Sequence, residues 1–260
     1  MKKINWFDLF IGGIKLNFLQ SSWNFERLQN IGFLFSIYLI LKKIYKNNIE
    51  LLKKAIERHI DFFNTNIFFA SAVLGMVARL EEELDNTDIK KKHEQIEKAK
   101  AGLMGPLAAI GDSIFWSTIK PFALLIGCGF TYLMNFTLES FFWGFILSII
   151  IFNLPRLIIK YYLLIKSYYD YNNLFLLLQK IKFQYLIKVI KIVVLFLLGA
   201  ITAGFFYKKD LNLISVRLLD NILLIIIFIL ITIALKKKTV ISHIIITIII
   251  FSILISYLIS

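Results

Sequence analysis

The chain has 260 residues, of which 58% are hydrophobic, and its mean hydropathy is +0.75. Soluble domains have about 45–50% apolar residues, so this composition excludes an ordinary soluble domain and indicates an integral membrane protein. The net charge is +13, from 30 Lys and Arg against 17 Asp and Glu. Because the basic residues flank apolar segments, they favour attraction to anionic lipid and argue against nucleic-acid binding.

Residues 3–19 are predicted to form an interfacial amphipathic helix. Its apolar stripe repeats every four residues and consists of Trp6, Phe10, Ile14 and Phe18. The same pattern suits a cytosolic docking helix nearly as well. We expect no cleavable signal peptide, because Asp8 interrupts the apolar part and no small-residue cleavage site follows.

Two further stretches precede the apolar middle of the chain. Residues 22–41 begin polar and turn apolar, which favours a re-entrant or half-buried helix over a simple span. Residues 42–61 have the pattern of one basic amphipathic helix, which suits an anionic membrane surface. Its apolar side is formed by Tyr45, Ile49, Leu52, Ile56 and Ile60.

Polar side chains interrupt the apolar segment at residues 62–80. Asn64, Thr65 and Asn66 carry groups that could bind a solute hydroxyl or satisfy neighbouring backbone, and their spacing leaves both readings open. Residues 81–100 are the most charged part of the chain. We predict a solvated loop or helical hairpin there, which also offers a surface to a soluble partner.

The stretch from Lys100 to Phe122 is apolar enough to enter a membrane, yet it contains helix-breaking signals. Gly105-Pro106 predicts an interruption, because the residue before a proline is disfavoured in helical geometry. Asp112 and Ser113 are predicted to cap the helix that resumes after it, with Trp116 on the same face.

A carboxylate inside a membrane segment costs about 2.5–3.5 kcal/mol on insertion scales, so Asp112 marks a candidate solute site. The broken helix, the acid, the Ser113 hydroxyl and the Trp116 indole together describe the polar wall of such a site. In the alternative reading, Asp112 only caps a short helix beside a surface loop.

The second half of the chain alternates spans with basic connections. Residues 137–154 form a predicted span, and residues 155–188 mix tyrosines and lysines in a way typical of the membrane interface. Further spans are predicted at about 189–207, 218–235 and 240–259. The expected fold is therefore an all-α polytopic bundle with broken or re-entrant helices and N-terminal interfacial helices.

Motifs for covalent chemistry are missing from the sequence. It has no P-loop, no G-x-G-x-x-G, no nucleophile elbow and no zinc-ligand spacing. Its single cysteine, Cys128, lies in an apolar run, and His59 fits a structural histidine better than a phosphoacceptor. We expect neither a metal nor a cofactor, and no catalytic residue.

Three sequence blocks resemble one family. They are SWNFERLQ at residues 22–29, Arg58-His59 followed by FFNT at 62–65, and GLMGPLAAIGDSIFW at 102–116. Together they resemble the IID membrane component of the mannose/fructose/sorbose-type sugar phosphotransferase system. The chain differs from that pattern at Asn66-Ile67, where proline is usual, and at Ala109 and Ser117, where glycine is common.

The resemblance implies partners and an activity. A IID subunit pairs with a IIC subunit, and the pairs assemble as trimers of heterodimers in the inner (cytoplasmic) membrane. The two subunits bind a hexose-type sugar and move it by an elevator motion. A soluble IIB or IIAB protein phosphorylates the sugar, so the IID chain is a transporter subunit and not the phosphoryl-transfer enzyme.

The family pattern maps onto this chain as regions and site residues. The regions are 1–60 (interfacial helices), 61–154 (mobile membrane core), 155–188 (basic-aromatic interface) and 189–260 (scaffold spans). The residues expected to contact sugar are Asp112, Ser113 and Trp116, then Asn64, and last Asn24. The alternatives are a diverged, non-transporting or receptor-like membrane partner and an uncoupled permease that acts alone.

Overall fold

The computed structural model describes residues 4–83 and 88–208, together with Ile226, Ile229, Ile233 and Ile246. The chain divides into two compact units, Met1–Gly199 and Ala200–Ser260. The predicted spans at 218–235 and 240–259 lie almost wholly outside the described residues. All helices described below belong to the first unit, except the end of the last one.

Helices account for most of the described residues. Within those ranges the helices are α1 (Trp6–Lys15), α2 (Asn30–Ile44), α3 (Ile49–His59), α4 (Ala70–Glu83), α5 (Ile89–Gly111), α6 (Lys120–Leu133), α7 (Leu138–Tyr169), α8 (Leu174–Lys180) and α9 (Phe183–Lys208). A π-helical segment, Asp112–Ile119, joins α5 to α6 without a loop. Short 3-10 turns lie at Leu16–Phe18 and Tyr171–Asn173.

Three helical stretches are long and apolar enough to cross a membrane: Ile89–Leu133, Leu138–Tyr169 and Tyr171–Gly204. A span of about 20 apolar residues suffices to cross the hydrocarbon core. The predicted fold class, an all-α polytopic membrane protein, is confirmed.

Short polar side chains start the helices in the way their sequences predict. Asn5 and Asp8 form a capping box at α1, and Asn48 accepts a hydrogen bond from the Leu51 amide at α3. Asp88 and Thr137 do the same at the start of α5 and α7. Each cap satisfies amides that have no partner within the helix.

Helix α4 forms the centre of the first unit, since every residue from Ala70 to Ala78 is buried. Its small side chains allow a close approach by α7. A Cβ at Gly75 would lie within 2.3 Å of the Leu164 carbonyl oxygen, so this crossing admits only glycine. Small residues at helix crossings are the usual means of packing helices in membranes.

The α6–α7 hairpin is closed by a second small-residue crossing. A Cβ at Gly127 would lie 2.4 Å from the Gly144 carbonyl oxygen. The Thr131 hydroxyl lies 3.0 Å from the carbonyl oxygen of Gly127 and 3.2 Å from that of Ser140 on the partner helix. These contacts hold the two helices together as one unit.

The apolar stripe of α1 faces outward. Trp6 is 68% exposed and Phe18 is 56% exposed, whereas Leu9, Gly12 and Gly13 on the other face are buried. The predicted stripe is therefore available to a membrane surface or to a partner, while small residues on its reverse side let α1 pack against α2 and α7.

Two helical elements differ from the sequence predictions. The helix does not break at Gly105-Pro106: α5 continues through Pro106 to Gly111. Proline is tolerated in membrane helices where neighbouring groups satisfy the backbone that it frees. The single helix predicted at 42–61 is divided between the end of α2 and α3. Helices α7 and α9 run across the predicted region boundaries at 154 and 188.

Candidate functional site

The first two sequence blocks are joined by backbone hydrogen bonds. Asn24 and Leu28 exchange N–H···O bonds of 3.1 and 3.0 Å, which closes a tight loop. The next residue, Gln29, donates its amide to the Phe63 carbonyl across 2.8 Å. Leu28 adopts a positive φ of 54° to make this turn, a conformation that is uncommon for leucine.

Thr65 connects both of these blocks to the third. Its amide donates to the Gln29 side-chain oxygen at 3.0 Å, and its hydroxyl donates to the Met104 carbonyl at 2.9 Å. Thr65 and Gln29 are both buried. The three sequence blocks therefore meet at one polar junction beside α5.

Asn66 extends this junction to the start of the π-helical segment. Its Nδ2 donates to Asp112 Oδ1 at 2.8 Å, and its Oδ1 accepts from the Phe68 amide at 3.0 Å. Asn66 is only 3% exposed. Gly111 leaves the room for it, since a Cβ there would lie 2.4 Å from the Asn66 Cγ atom.

The π-helical segment has two distinct faces. Its buried side chains are Ile114, Phe115, Thr118 and Ile119, and its exposed side chains are Asp112, Ser113, Trp116 and Ser117. The hydroxyls of Ser117 and Thr118 both donate to the Ser113 carbonyl, at 2.8 and 2.7 Å. A π-turn is wider than an α-turn and often occurs at functional sites. We call the four exposed residues of this segment, Asp112, Ser113, Trp116 and Ser117, the polar wall.

Two aromatic rings pack against Trp116. Its ring centroid lies 6.0 Å from that of Phe68 and 6.1 Å from that of Phe152. The Lys120 ammonium lies 5.2 Å from the Trp116 ring, and the Arg156 guanidinium lies 5.2 Å from the Phe68 ring. Trp116 itself remains 44% exposed, so part of the indole is accessible.

The predicted site residues are distributed as follows. Asp112, Ser113 and Trp116 share the polar wall, as their spacing indicates. Asn64 is exposed, and its backbone amide donates to the Met104 sulfur at 3.4 Å. Asn24 lies in the first loop, where its Nδ2 donates to Asn30 Oδ1 at 2.9 Å.

The prediction that Asp112 and Ser113 cap a new helix is wrong, because Asp112 has helical geometry and the helical path continues through it.

The residue that sequence reasoning assigned too little weight is Asn66. A short polar residue just before the long apolar run of α4 is a helix-start signal, and its side chain does accept from the amides of the first turn. That signal identifies Asn66 as the structural member of the Asn64–Asn66 group. It does not reveal the long-range bond to Asp112.

Comparison with known proteins places these features in context. Residues 4–259 match the family model of the PTS system mannose/fructose/sorbose family IID component. The chain belongs to this family. It is 40% identical to the mannose-specific EIID component of Escherichia coli K12 over 161 residues, which are 62% of this chain and 54% of that protein. The chain thus matches about half the length of that relative.

Two further comparisons cover more of the relatives. The fructose permease IID component of Bacillus subtilis 168 is 32% identical over 203 residues, 78% of this chain and 70% of that protein. The cryo-EM structure of the mannose transporter ManYZ with microcin E492 contains a chain with a TM-score of 0.57 and 30% identity. That match covers 97% of this chain and 96% of the solved one.

A second polar cluster in this IID component is centred on a buried carboxylate, Glu81. Arg58 donates to it through Nε at 2.7 Å and Nη2 at 3.2 Å. His59 Nε2 lies 2.9 Å from Glu81 Oε1, and the Tyr45 hydroxyl donates to Oε2 at 2.5 Å. The Lys92 ammonium donates to the Glu81 carbonyl at 2.8 Å.

Burial and the neighbouring groups shift the pKa of Glu81 in opposite directions. Burial alone would raise the pKa of Glu81, but the hydrogen bond from His59, the charge of Arg58 and the Tyr45 hydroxyl lower it to about 2. Burial lowers the pKa of His59 in spite of the attraction of Glu81. The imidazole is therefore neutral at pH 7 and donates through Nε2 to the carboxylate, while Nδ1 has no hydrogen-bond partner among the described residues.

The Glu81 cluster corrects the prediction for residues 81–100. The stretch is the helical hairpin of α4 and α5, but its charges are only partly solvated: Glu81, Lys92 and Lys100 are buried. Glu81 could have been recognised, since it continues the buried spacing of Ala70, Leu74 and Val77 along α4. Among the described residues, no group of His, Cys, Asp and Glu side chains is arranged to hold a metal ion.

Proposed function

We propose that this IID component forms, with a IIC subunit, the sugar-binding and translocation path of a permease in the cytoplasmic membrane. Uptake is coupled to phosphorylation of a hexose-type sugar by a soluble IIB or IIAB protein. Membership of the family and the similarity to the mannose-specific and fructose relatives support this proposal. We also propose assembly as trimers of IIC–IID pairs, in contact with anionic lipid.

The observation that carries the proposal is the bond between buried Asn66 and exposed Asp112 at the edge of the polar wall. The second Asp112 oxygen can accept a sugar hydroxyl, and charge-assisted hydrogen bonds are stronger than neutral ones. The accessible part of the Trp116 indole offers a surface on which a pyranose ring stacks. Irregular helix inside a membrane protein is tolerated where it is covered by protein or lines a wet cavity.

The other site residues take subordinate roles. Ser113 adds a hydroxyl beside Asp112 on the polar wall, and Asn64 presents an exposed amide next to the junction. Asn24 is assigned the smallest part in sugar binding, because its side-chain amide already donates to the Leu28 carbonyl within the loop. We assign residues 61–154 to the moving core and residues 1–60, 155–188 and 189–260 to the surrounding interfaces and scaffold.

The soluble phosphocarrier is assigned to a charged cleft between α3 and the start of α5. The cleft has a volume of about 640 Å³ and is lined by Lys54, Glu57, Arg58, Asp61, Ile89, Lys90, His93 and Glu94. Phosphoryl transfer itself is assigned to IIB. Changing Lys54 and Lys90 to Glu should raise the KM for the carrier and leave sugar binding intact. Lys53→Glu, on the same helix as Lys54 but outside the cleft lining, should change neither.

The deciding experiment is sugar phosphorylation by membranes that contain this chain with its IIC partner and the soluble phosphocarriers. Activity that requires the chain and falls at least tenfold in Asp112→Asn supports the permease and its site. Activity that requires the chain but ignores Asp112 and Trp116 would overturn the site. Normal assembly without any dependence of activity on the chain would favour a diverged, non-transporting partner.

A further inference from the structure

The loop of the first sequence block presents two aromatic side chains outward. Phe25 is 91% exposed, Trp23 is half-exposed, and their ring centroids lie 5.0 Å apart in an edge-to-face contact. We call this pair the aromatic knob. Exposed apolar side chains that adjoin one another mark an interaction surface, whereas single ones need no explanation. The knob therefore requires a molecule that covers it.

Hydrogen bonds hold the backbone beneath the knob in one shape. The Arg27 amide donates to Asn24 Oδ1 at 2.8 Å, next to the backbone pair of Asn24 and Leu28. The Ile60 carbonyl accepts from Arg27 Nη1 at 3.4 Å and from Asn30 Nδ2 at 2.5 Å. Because these polar groups fix the loop, little conformational entropy is lost when a partner binds the knob.

The charge beside the knob argues against lipid as the covering molecule. The Glu26 side chain is 81% exposed, and its carboxylate lies 3.4 Å from Arg27 Nε. Insertion of Phe25 into hydrocarbon would carry this acid toward a medium in which a carboxylate is costly, and anionic headgroups would repel it. A protein surface can instead offer a pocket to the rings and a cation to the acid.

The knob belongs to the same junction as the candidate sugar site. Gln29, at the end of the loop, bonds to Thr65, and the next residue, Asn66, donates to Asp112. We infer that the aromatic knob docks into an apolar pocket of the IIC subunit, beside a basic side chain that pairs with Glu26. Permanent interfaces are more hydrophobic than transient ones, which favours IIC over the soluble carrier. The inference rests on the proposed pairing with IIC and specifies the surface that makes it.

The test identifies the neighbour of the knob directly. The photo-cross-linker benzoylphenylalanine replaces Phe25, and membranes that contain this chain, IIC and the soluble carrier are irradiated. We expect a covalent adduct of this chain with IIC. The matched control carries the cross-linker in place of Ile49, which is also exposed but lies at the start of α3, at the opposite end of that helix from Ile60. It should give no adduct with IIC.

Variants measure what the knob contributes to the pair. Phe25→Ala should raise the dissociation constant of the purified IIC–IID pair in detergent about tenfold, because truncation of a buried aromatic anchor weakens an interface by this order. Phe25→Tyr should retain most of the affinity, and Ile49→Ala should leave it unchanged. Glu26→Lys should weaken the pair, since it puts two cations together. Contact with anionic lipid would instead be strengthened by that change.

Several results would overturn the inference. They are an adduct at position 25 with lipid, with the carrier or with a second copy of this chain in place of IIC, no adduct at all, or an unchanged affinity in Phe25→Ala. Failure of the proposed function would look different. In that case IIC does not co-purify with the natural chain, or the pair assembles through the knob but does not support sugar phosphorylation.

Discussion

The amide of Asn66 donates to the carboxylate of Asp112 at 2.8 Å, although the two residues are 46 positions apart. Asn66 is also bound to the first amides of the turn that leads into α4. The position of the acid is therefore set by the central helix and not only by its own segment. A ligand that displaces the Asp112 carboxylate would therefore change the hydrogen bonding of Asn66 at the start of α4.

Replacement of Asn66 tests this coupling. Asn66→Ala removes the donor to Asp112 and leaves the Phe68 amide unsatisfied, which costs about 1–3 kcal/mol of stability. Asn66→Asp retains the acceptor for Phe68 but puts a second carboxylate against Asp112. We expect sugar phosphorylation to fall at least tenfold in both variants, and only Asn66→Ala to lose the helix-start bond.

The control is Asn153→Ala, since the Asn153 amide bonds to the carbonyl of Ile149 in its own helix. Its phosphorylation rate and apparent melting temperature should match those of the natural chain. Wild-type rates in Asn66→Asp membranes would show that Asp112 needs no neutral partner.

Trp116 is tested by a graded pair of substitutions. Because the indole is 44% exposed, its truncation should leave the IIC–IID complex assembled. Trp116→Ala should abolish sugar uptake, and Trp116→Phe should retain part of it, because a smaller ring still stacks on a sugar. Uptake of radiolabelled sugar and co-purification of IIC are the two measurements. Normal uptake by the alanine variant would remove the stacking role.

Two glycines in the same helix should respond in opposite directions. At Gly111 a Cβ would lie 2.4 Å from the Asn66 Cγ atom, whereas at Gly102 it would meet nothing within 4 Å. Gly111→Ala should destabilise the protein by about 1–3 kcal/mol through overpacking. Gly102→Ala should stabilise it by about 0.5–1 kcal/mol, since alanine favours the helix. Equal melting temperatures in detergent for the two variants would contradict the close packing at Asn66.

The Glu81 cluster predicts that stability falls in acid. Because the folded pKa of His59 is lowered from 6.5, its contribution is present above pH 6.5 and is lost as the pH falls below that value. The pKa of Glu81 is lowered from 4.5 to about 2, so its contribution, about 3 kcal/mol, is lost between those values. The melting temperature in detergent should therefore decline from pH 6.5 downward.

His59→Gln separates the two contributions. A glutamine amide can still donate to Glu81 but does not titrate, so the decline between pH 6.5 and 5 should be much reduced in this variant. The loss below pH 4.5 should remain. An unchanged decline between pH 6.5 and 5 would assign it to another group. Glu81→Gln is expected to cost about 3–5 kcal/mol, because Arg58 would be left buried without its carboxylate.

Much of the architecture was predictable because apolar length and periodicity are local properties. The apolar spans within the described residues, a helical hairpin as one of the two alternatives at residues 81–100, and the shared exposed side of Asp112, Ser113 and Trp116 follow from spacing alone. The predicted break at Gly105-Pro106 is wrong, because a proline removes one backbone hydrogen bond from a helix but its φ is compatible with helical geometry. The irregularity instead lies at Asp112–Ile119, where hydroxyls bond to the Ser113 carbonyl.

The tertiary contacts of the site were not predictable in the same way. The bond between Asn66 and Asp112 joins distant parts of the chain, and no local pattern specifies such a pair. The burial of Glu81 was hidden by the charged residues that follow it, since composition averaged over the stretch conceals one residue on the inner face.

The π-helical segment also constrains how this chain can change in length. Such a segment contains about one residue more per turn than an α-helix. Loss of a single residue between Asp112 and Ile119 would therefore let the segment close as an α-helix while α5 and α6 keep their orientation on either side. Asp112 and Trp116 would still be three or four positions apart, a spacing that keeps two side chains on one helix face. A one-residue gap aligned to this segment in a relative therefore marks loss of the wide turn and not loss of the shared face.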